Sequence, residues 1–449
     1  MKKTSLSYVH LIAFHAFIGV LVFILPFITK IYTLSIFVFG IFYIIKNRNR
    51  NNEVLIMSAY VVGAEVLLRM TNGVILNEFG KYAVMIFMFT GIVYSGFSRK
   101  ALIYWIFFIL LIPGIIISVF SLNFDTDIRK AIAFNISGPV CLGISAIYCY
   151  ERKITFDRLK TVIAALCFPL ISIAVYLFLY SPSVRDVVTS TESNFATSGG
   201  FGPNQVSTIL GLGIFVFFVQ LLLNSKSKFL IALNAILVMV FAFRGIVTFS
   251  RGGVMTGVVM IILLLMILYY QGNAVAKSKI GLIMLMTFLA GVGVWGYSSF
   301  QTSGLINKRY SNQDALGRVK KSKLSGRETL IASELQMFVE NPVFGVGVGR
   351  NKEIRKEETG IEAASHNEIT RMVAEHGSLG LIDLMILLFT PLLLFVNNRQ
   401  NIFALSFLAF WLLTINHAAM RMAAPAFVYA LALLSIQINI PEKPQNSGD

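Results

Sequence analysis

The hydrophobic positions of this chain run together rather than alternating with polar ones. Apolar stretches cover 9–29, 31–45, 54–70, 82–97, 101–121, 131–150, 161–180, 205–223, 229–243, 253–270, 280–300, 379–396, 402–415 and 422–438. Crossing a bilayer core takes about 20 apolar residues in a helix. Inside lipid the backbone has no water to bond to, so each stretch must close its own hydrogen bonds, which a helix does. The pattern therefore predicts an all-α polytopic membrane protein of about 12–14 transmembrane helices. It divides the chain into an N-terminal bundle over 1–300, one large extracytoplasmic loop over 301–378, C-terminal transmembrane helices over 379–438 and a cytoplasmic tail over 439–449. The first run is long and followed directly by others, so it reads as a span and not as a cleaved signal peptide.

The period changes inside 301–378. Ser325-Gly326-Arg327-Glu328 has the S-x-x-E spacing of a capping box, in which a side-chain oxygen satisfies free N–H groups at a helix start. Ile331, Leu335, Phe338 and Val339 then follow at helical spacing and predict an inward apolar face. Asn341-Pro342 ends that helix. Gly345-Val346-Gly347-Val348-Gly349 predicts a tight, close-packed turn, and Ser365-His366-Asn367-Glu368 is a second S-x-x-E box. Ile369, Met372 and Val373 give the next helix an apolar face, and Gly377 is a natural stop. Two amphipathic helices resting on the membrane domain are the expectation.

Composition narrows the class. Hydrophobic residues make up 56% and charged residues 13%, about half the charge of an ordinary soluble domain. Mean hydropathy is +0.75. Too few polar residues remain to cover soluble domains, which excludes a soluble enzyme and a disordered chain. The net charge of +16 does not point to nucleic acid in such a chain. It points to basic cytoplasmic loops and to a basic site for a phosphate-bearing substrate. With the N-terminus inside, the inner loops carry more Lys and Arg than the short outer ones, and 301–378 falls outside. Cys141, Cys149 and Cys167 all lie in apolar runs and predict neither a disulfide nor a metal framework.

Few residues remain to carry chemistry. With Ser365 as N-cap, His366 would occupy the first helical position. There the positive end of the helix dipole disfavours imidazolium. A neutral histidine can accept a proton as a general base. Arg251, in Phe249-Ser250-Arg251-Gly252-Gly253, stands at the outer end of a span among small residues that let an anion approach. Guanidinium binds phosphate in a bidentate manner. Arg244 and Arg327 admit the same reading, or the plainer one of a topogenic arginine. Glu65 and Arg69 are spaced to pair with each other, and Asp383 is an intramembrane acid, a functional suspect by default.

In order along the chain stand Gly202-Pro203-Asn204, Ser250-Arg251-Gly252-Gly253, Arg327, Asn341-Pro342-Val343-Phe344-Gly345-Val346-Gly347, and Ser365-His366-Asn367 running to Glu375, Gly377 and Leu379-Gly380-Leu381. This series resembles the O-antigen ligase and polymerase superfamily of bacterial envelopes over about residues 200–385. The resemblance implies a GT-C-like membrane glycosyltransferase that uses neither metal nor cofactor. It would move a glycan from undecaprenyl pyrophosphate, with inversion, to a sugar hydroxyl outside the bacterial inner membrane. The acceptor would be lipid A core in a ligase, or a second lipid-linked glycan in a polymerase. Partners would be these lipid-linked glycans, the bilayer and envelope-assembly proteins. The site implied is His366 as base, Arg251 and Arg327 on the pyrophosphate, and Arg244, Asn204, Asn367 and Glu375 at substrate-binding positions. Nine helical residues put Glu375 about half a turn out of phase with His366 and about 13 Å from it, so anchoring the loop or binding the acceptor suits it better than orienting the histidine.

A single long loop and the His-to-Glu element favour the ligase type, with polymerase as the alternative. A transporter or flippase is the reading from another class. Transporters usually carry charge near the midplane and internal repeats; this sequence has few central charges and no obvious two-fold pattern.

Overall fold

A computed structural model describes residues 2–320, 322, 327–360, 363, 365–418 and 420–438. Ser325 and Gly326, the start of the first expected capping box, lie outside the described residues, as does the tail 439–449. The helices are α1 Lys2–Ile24, α2 Ile28–Asn47, α3 Glu53–Met70, α4 Phe79–Ser95, α5 Leu102–Ser121, α6 Ile128–Cys149, α7 Phe156–Tyr180, α8 Val184–Val187, α9 Pro203–Val219, α10 Lys228–Val247, α11 Arg251–Gln271, α12 Ala274–Gln301, α13 Leu305–Tyr310, α14 Arg327–Glu340, α15 Arg350–Thr359, α16 Glu368–Asn397, α17 Ala404–Ile415 and α18 Ala423–Leu431.

Every expected span coincides with a helix, but among the described residues only ten are long and apolar enough to cross a membrane. The remaining expected spans fall on helices that this measure leaves out, for physical reasons. α4 and α17 are short. α3 carries Glu53, Glu65 and Arg69 and is almost entirely buried. The last expected span is only the nine-residue α18, after which Ser435–Gln437 runs as a strand beside Lys153–Thr155 in a small parallel ladder. A helix enclosed by other helices need not be lipid-compatible over its whole length, and apolar content alone does not separate the two cases.

α9 lies at the centre, packed against α7, α10 and α11. The α9–α11 crossing rests on Gly253, where an added Cβ would come within 2.0 Å of the Ser207 carbonyl oxygen. α12 is the opposite case, a long helix with little of its surface buried, facing outward along nearly its full length.

Two ends of the bundle follow from the alternating helices. One gathers Lys100 with Glu151 (3.2 Å), Arg158 with Glu53 (4.0 Å), and the two strands. The other gathers Arg69 with Arg421, Lys81 with Met420, and Arg309 with Phe249. The loop 301–378 belongs to this second end.

In that loop the structure has more helix than expected. α13 follows α12 directly. α15 lies between the two expected helices and has no apolar periodicity to announce it; only Ile354 is apolar. Charge holds it instead: Arg350 pairs with Glu353 (2.6 Å) and Glu357 (3.0 Å), and Asn123 at the end of α5 donates to both carboxylates. α14 is turned relative to the expectation. Leu335 and Val339 are exposed, whereas Glu334 and Met337 face inward. The reason is a buried carboxylate with four partners, described below.

Candidate functional site

The second S-x-x-E box is formed differently from the expectation. Asn367, not Ser365, caps α16: its Oδ1 accepts from the Ile369 N–H (2.9 Å) and the Thr370 N–H (3.4 Å). Ser365 Oγ instead accepts from the Asn367 N–H at 3.2 Å. His366 therefore sits before the cap and outside the helix, not at its first position. The dipole argument for its neutrality falls away, and Asn367, expected to bind substrate, spends its side chain on the cap.

A different cause keeps His366 neutral. Burial pushes its pKa down to about 4, helped by the positive charges of Arg421 and Arg327 and by His417. The same group reaches further. Arg327, first residue of α14, is held down by burial and by Arg251. Arg309 on α13 is lowered by burial and by Arg251 and Arg327, against the opposing Glu192. Arg421 is lowered by burial and by Arg371, Arg69 and Arg327, against Glu368. Arg421 and Arg327 thus lie close enough to His366 to act on its charge, and Arg251 and Arg309 act on Arg327 and on each other.

Three of the four arginines are placed by contacts of the local structure. Arg251 opens α11 behind Ser250, whose Oγ donates to Asn204 Oδ1 (2.8 Å) and whose carbonyl accepts from Ser207 Oγ (2.7 Å). Asn204 thus supports the turn that presents Arg251. Arg309 Nε donates to the Phe249 carbonyl (3.1 Å), two residues before the same arginine. Arg421 donates to the Ser365 carbonyl (2.9 Å), next to the histidine, while its own carbonyl accepts from Arg69 (2.8 Å). Arg69 keeps its expected pairing with Glu65 (3.8 Å). His417 shares a hydrogen bond with Thr208 (3.0 Å) and packs on Gly252.

Arg244 is not part of this group. It is 3% exposed in the last turn of α10, donates to the Ser181 carbonyl (3.2 Å) and lies over the Phe178 and Phe243 rings. These contacts tie α10 to the end of α7.

Glu375 is fully buried. Its Oε2 accepts from Arg371 (2.9 Å) and its Oε1 from the Gly349 N–H (2.9 Å). Arg371 also pairs with Glu368, and the Glu368–Arg371–Glu375 spacing places all three on one helical face. Glu375 is an anchor of the loop, one of the two roles expected for it.

The glycine turn docks on a break in α16. At Gly377 the backbone leaves helical geometry (φ 61°, ψ −141°). The carbonyls of Ala374 and Glu375 lose their intrahelical partners and accept instead from Val346 (2.9 Å) and Gly347 (3.1 Å), while Ser378 donates to Pro342 (2.7 Å). Gly345, Gly347 and Gly349 all have positive φ. A Cβ on Gly345 would come within 2.6 Å of the Ala374 carbonyl oxygen, so only glycine allows this approach.

The sequence reading missed Glu334. It is fully buried and accepts from Arg355 (2.7 Å), Asn351 (3.3 Å), Ser365 (3.2 Å) and Thr370 (2.6 Å). It joins α14, α15, the His366 turn and α16 at one point. Arg309 and Arg421 were missed as site residues too. The signal available was an arginine within an otherwise apolar C-terminal stretch. Among the described residues no group of His, Cys, Asp and Glu is arranged to hold a metal ion.

Chemically, the arrangement offers a neutral imidazole beside several desolvated guanidiniums at one end of a membrane bundle, suited to an anion with a proton to be removed nearby. Comparison with known families fits this. A family model described as O-antigen ligase matches residues 235–385, from α10 into α16. The match takes in Arg251, Arg309, Arg327, His366 and Glu375 and stops short of Arg421. No curated protein matches the chain. Residues 235–385 are thus similar to the O-antigen ligase family, within a chain whose described residues include ten helices long and apolar enough to cross a membrane.

Proposed function

We propose that the protein is a ligase-type transferase. It takes a glycan from undecaprenyl pyrophosphate and joins it to a sugar hydroxyl of lipid A core, on the periplasmic face of the inner membrane. The observation that carries this reading is a buried His366 whose turn is held by Arg421, with Arg327 acting on it and Arg251 and Arg309 acting on Arg327. His366 takes the proton of the acceptor hydroxyl, whose oxygen attacks the anomeric carbon. The bond from that carbon to the pyrophosphate oxygen breaks, with inversion. Charge then develops on the leaving pyrophosphate, where desolvated guanidiniums stabilise it most. Arg251 and Arg327 hold that pyrophosphate, and no metal is needed for the charge balance. The excess of Lys and Arg on the opposite loops supports the periplasmic placement.

The deciding experiment deletes the gene and follows lipopolysaccharide and lipid-linked glycan by gel laddering, with complementation by wild type and by His366→Ala. Long chains that accumulate on the lipid carrier but never reach lipid A core support the ligase. Single repeats on core with no longer chains make the protein a polymerase. Full ladders with His366→Ala overturn the role of the histidine.

A further inference from the structure

At the end of the bundle away from the arginines, α1, α2, α3, α7 and α10 do not close on one another. Between them lies a cavity of about 1460 Å³, above the range of roughly 300–1,000 Å³ that holds compact ligands. Its rim carries Asp157, Lys160 and Lys226. Its walls are apolar, with Leu11, Phe14, Ile36, Phe39, Met57 and Phe168 among them. The polar groups inside bond to each other: His15 Nε2 with the Tyr60 hydroxyl (2.8 Å), Tyr60 with Tyr32 (2.9 Å), and Tyr8 to Asn234 (2.8 Å).

We propose that this cavity is a binding site for one anionic glycerophospholipid of the leaflet at that end, its phosphate at Lys226 and its acyl chains along the α1 and α2 walls. An apolar void of this size would forfeit dispersion contacts along its whole lining, and a bilayer amphiphile supplies them. The rim selects the headgroup. Asp157 and Lys160 pair at 2.5 Å and cancel. Lys226 is exposed and makes no ion pair among the described residues, and the exposed Lys228 follows it. The rim thus carries unbalanced positive charge at the depth where a chain-filled cavity meets water. The occupant is not the donor of the transfer reaction. From Lys160 at the rim, α7 runs twenty residues to Tyr180, about 30 Å of helix, and Tyr180 packs against Gly200 at the arginine end.

The test is native mass spectrometry of the purified, delipidated full chain. It is titrated with phosphatidylglycerol or with phosphatidylcholine of the same acyl chains. One bound phosphatidylglycerol, preferred about fivefold for the single lysine, is the expected result. Lys226→Glu removes the preference, and Ala164→Trp, which fills the cavity from α7, removes both adducts. Lys226→Glu alters an exposed side chain, so it decides the matter even if the tryptophan variant fails to fold. Equal occupancy by the two lipids, or a preference that Lys226→Glu leaves intact, overturns the proposal. Displacement of phosphatidylglycerol by undecaprenyl phosphate at equal concentration also overturns it, because the cavity would then belong to a prenyl lipid.

Discussion

At His366 burial lowers the imidazole pKa to about 4, helped by the charges of Arg421 and Arg327. In the proposed reaction these same cations meet the donor's pyrophosphate. A base that weak is poorly matched to neutral pH. A pyrophosphate bound at Arg327 would offset their charge and raise the histidine toward its working range. The pH profile of kcat/KM, which reports the free enzyme, should therefore fall on the acid side near pH 4. The acid limb of kcat, which reports the complex, should lie higher. Arg327→Gln removes one depressing charge, so the limb of kcat/KM should move to higher pH while KM for the donor rises. A limb that stays in place would separate Arg327 from His366. His366→Ala should lower kcat by about 10²–10⁴-fold, the usual share of a general base, with the melting temperature little changed. Glu334→Ala is the contrasting case. It breaks the buried ion pair with Arg355, which costs about 3–5 kcal/mol, and thermal unfolding should show that loss. His366 was legible as a candidate because histidines are few and this one follows a cap signature. Glu334 was not, because a carboxylate in a helix normally marks the solvent side, and only the four donors around it explain its burial.

Among elements, helices that form by apolar periodicity were legible and those held by charge were not. α16 was expected from Met372 and Val373, which are buried. α15 forms from a run of charged residues whose partners, Asn123 and Glu334, lie far away in sequence. The orientation of α14 was misread for the same reason. Close helix crossings give a sharper prediction. Gly253→Val would push a side chain into the Ser207 carbonyl, and small-to-large changes in packed sites cost about 1–3 kcal/mol or more. α9 and α11 carry Asn204 and Arg251, so transfer should fall together with thermal stability. Lost stability with wild-type activity retained would show that the crossing does not position the site.

For the molecule as a whole, alternating helices leave one charged end for chemistry and another for topology, and this much the apolar runs and the basic bias already implied. Enclosed helices such as α3 and α18 cannot be told from lipid-facing spans by composition alone. The reach of the site was underestimated, since Arg421 comes from beyond the last long span yet touches the residue beside His366. Truncation after α16 should therefore remove more than membrane anchoring. Supplied in trans, the missing segment would have to bring Arg421 back to the Ser365 carbonyl before any glycan transfer returned.

The junction at Gly377 has one more consequence. Val346 and Gly347, in the loop beyond the spans, donate their amides to carbonyls of a spanning helix. In deuterated water those two protons should exchange on the slow timescale of α16 and not on that of a surface turn. Any gating of the site by motion would then have to leave this seam intact and occur on its other side, toward residues 350–366.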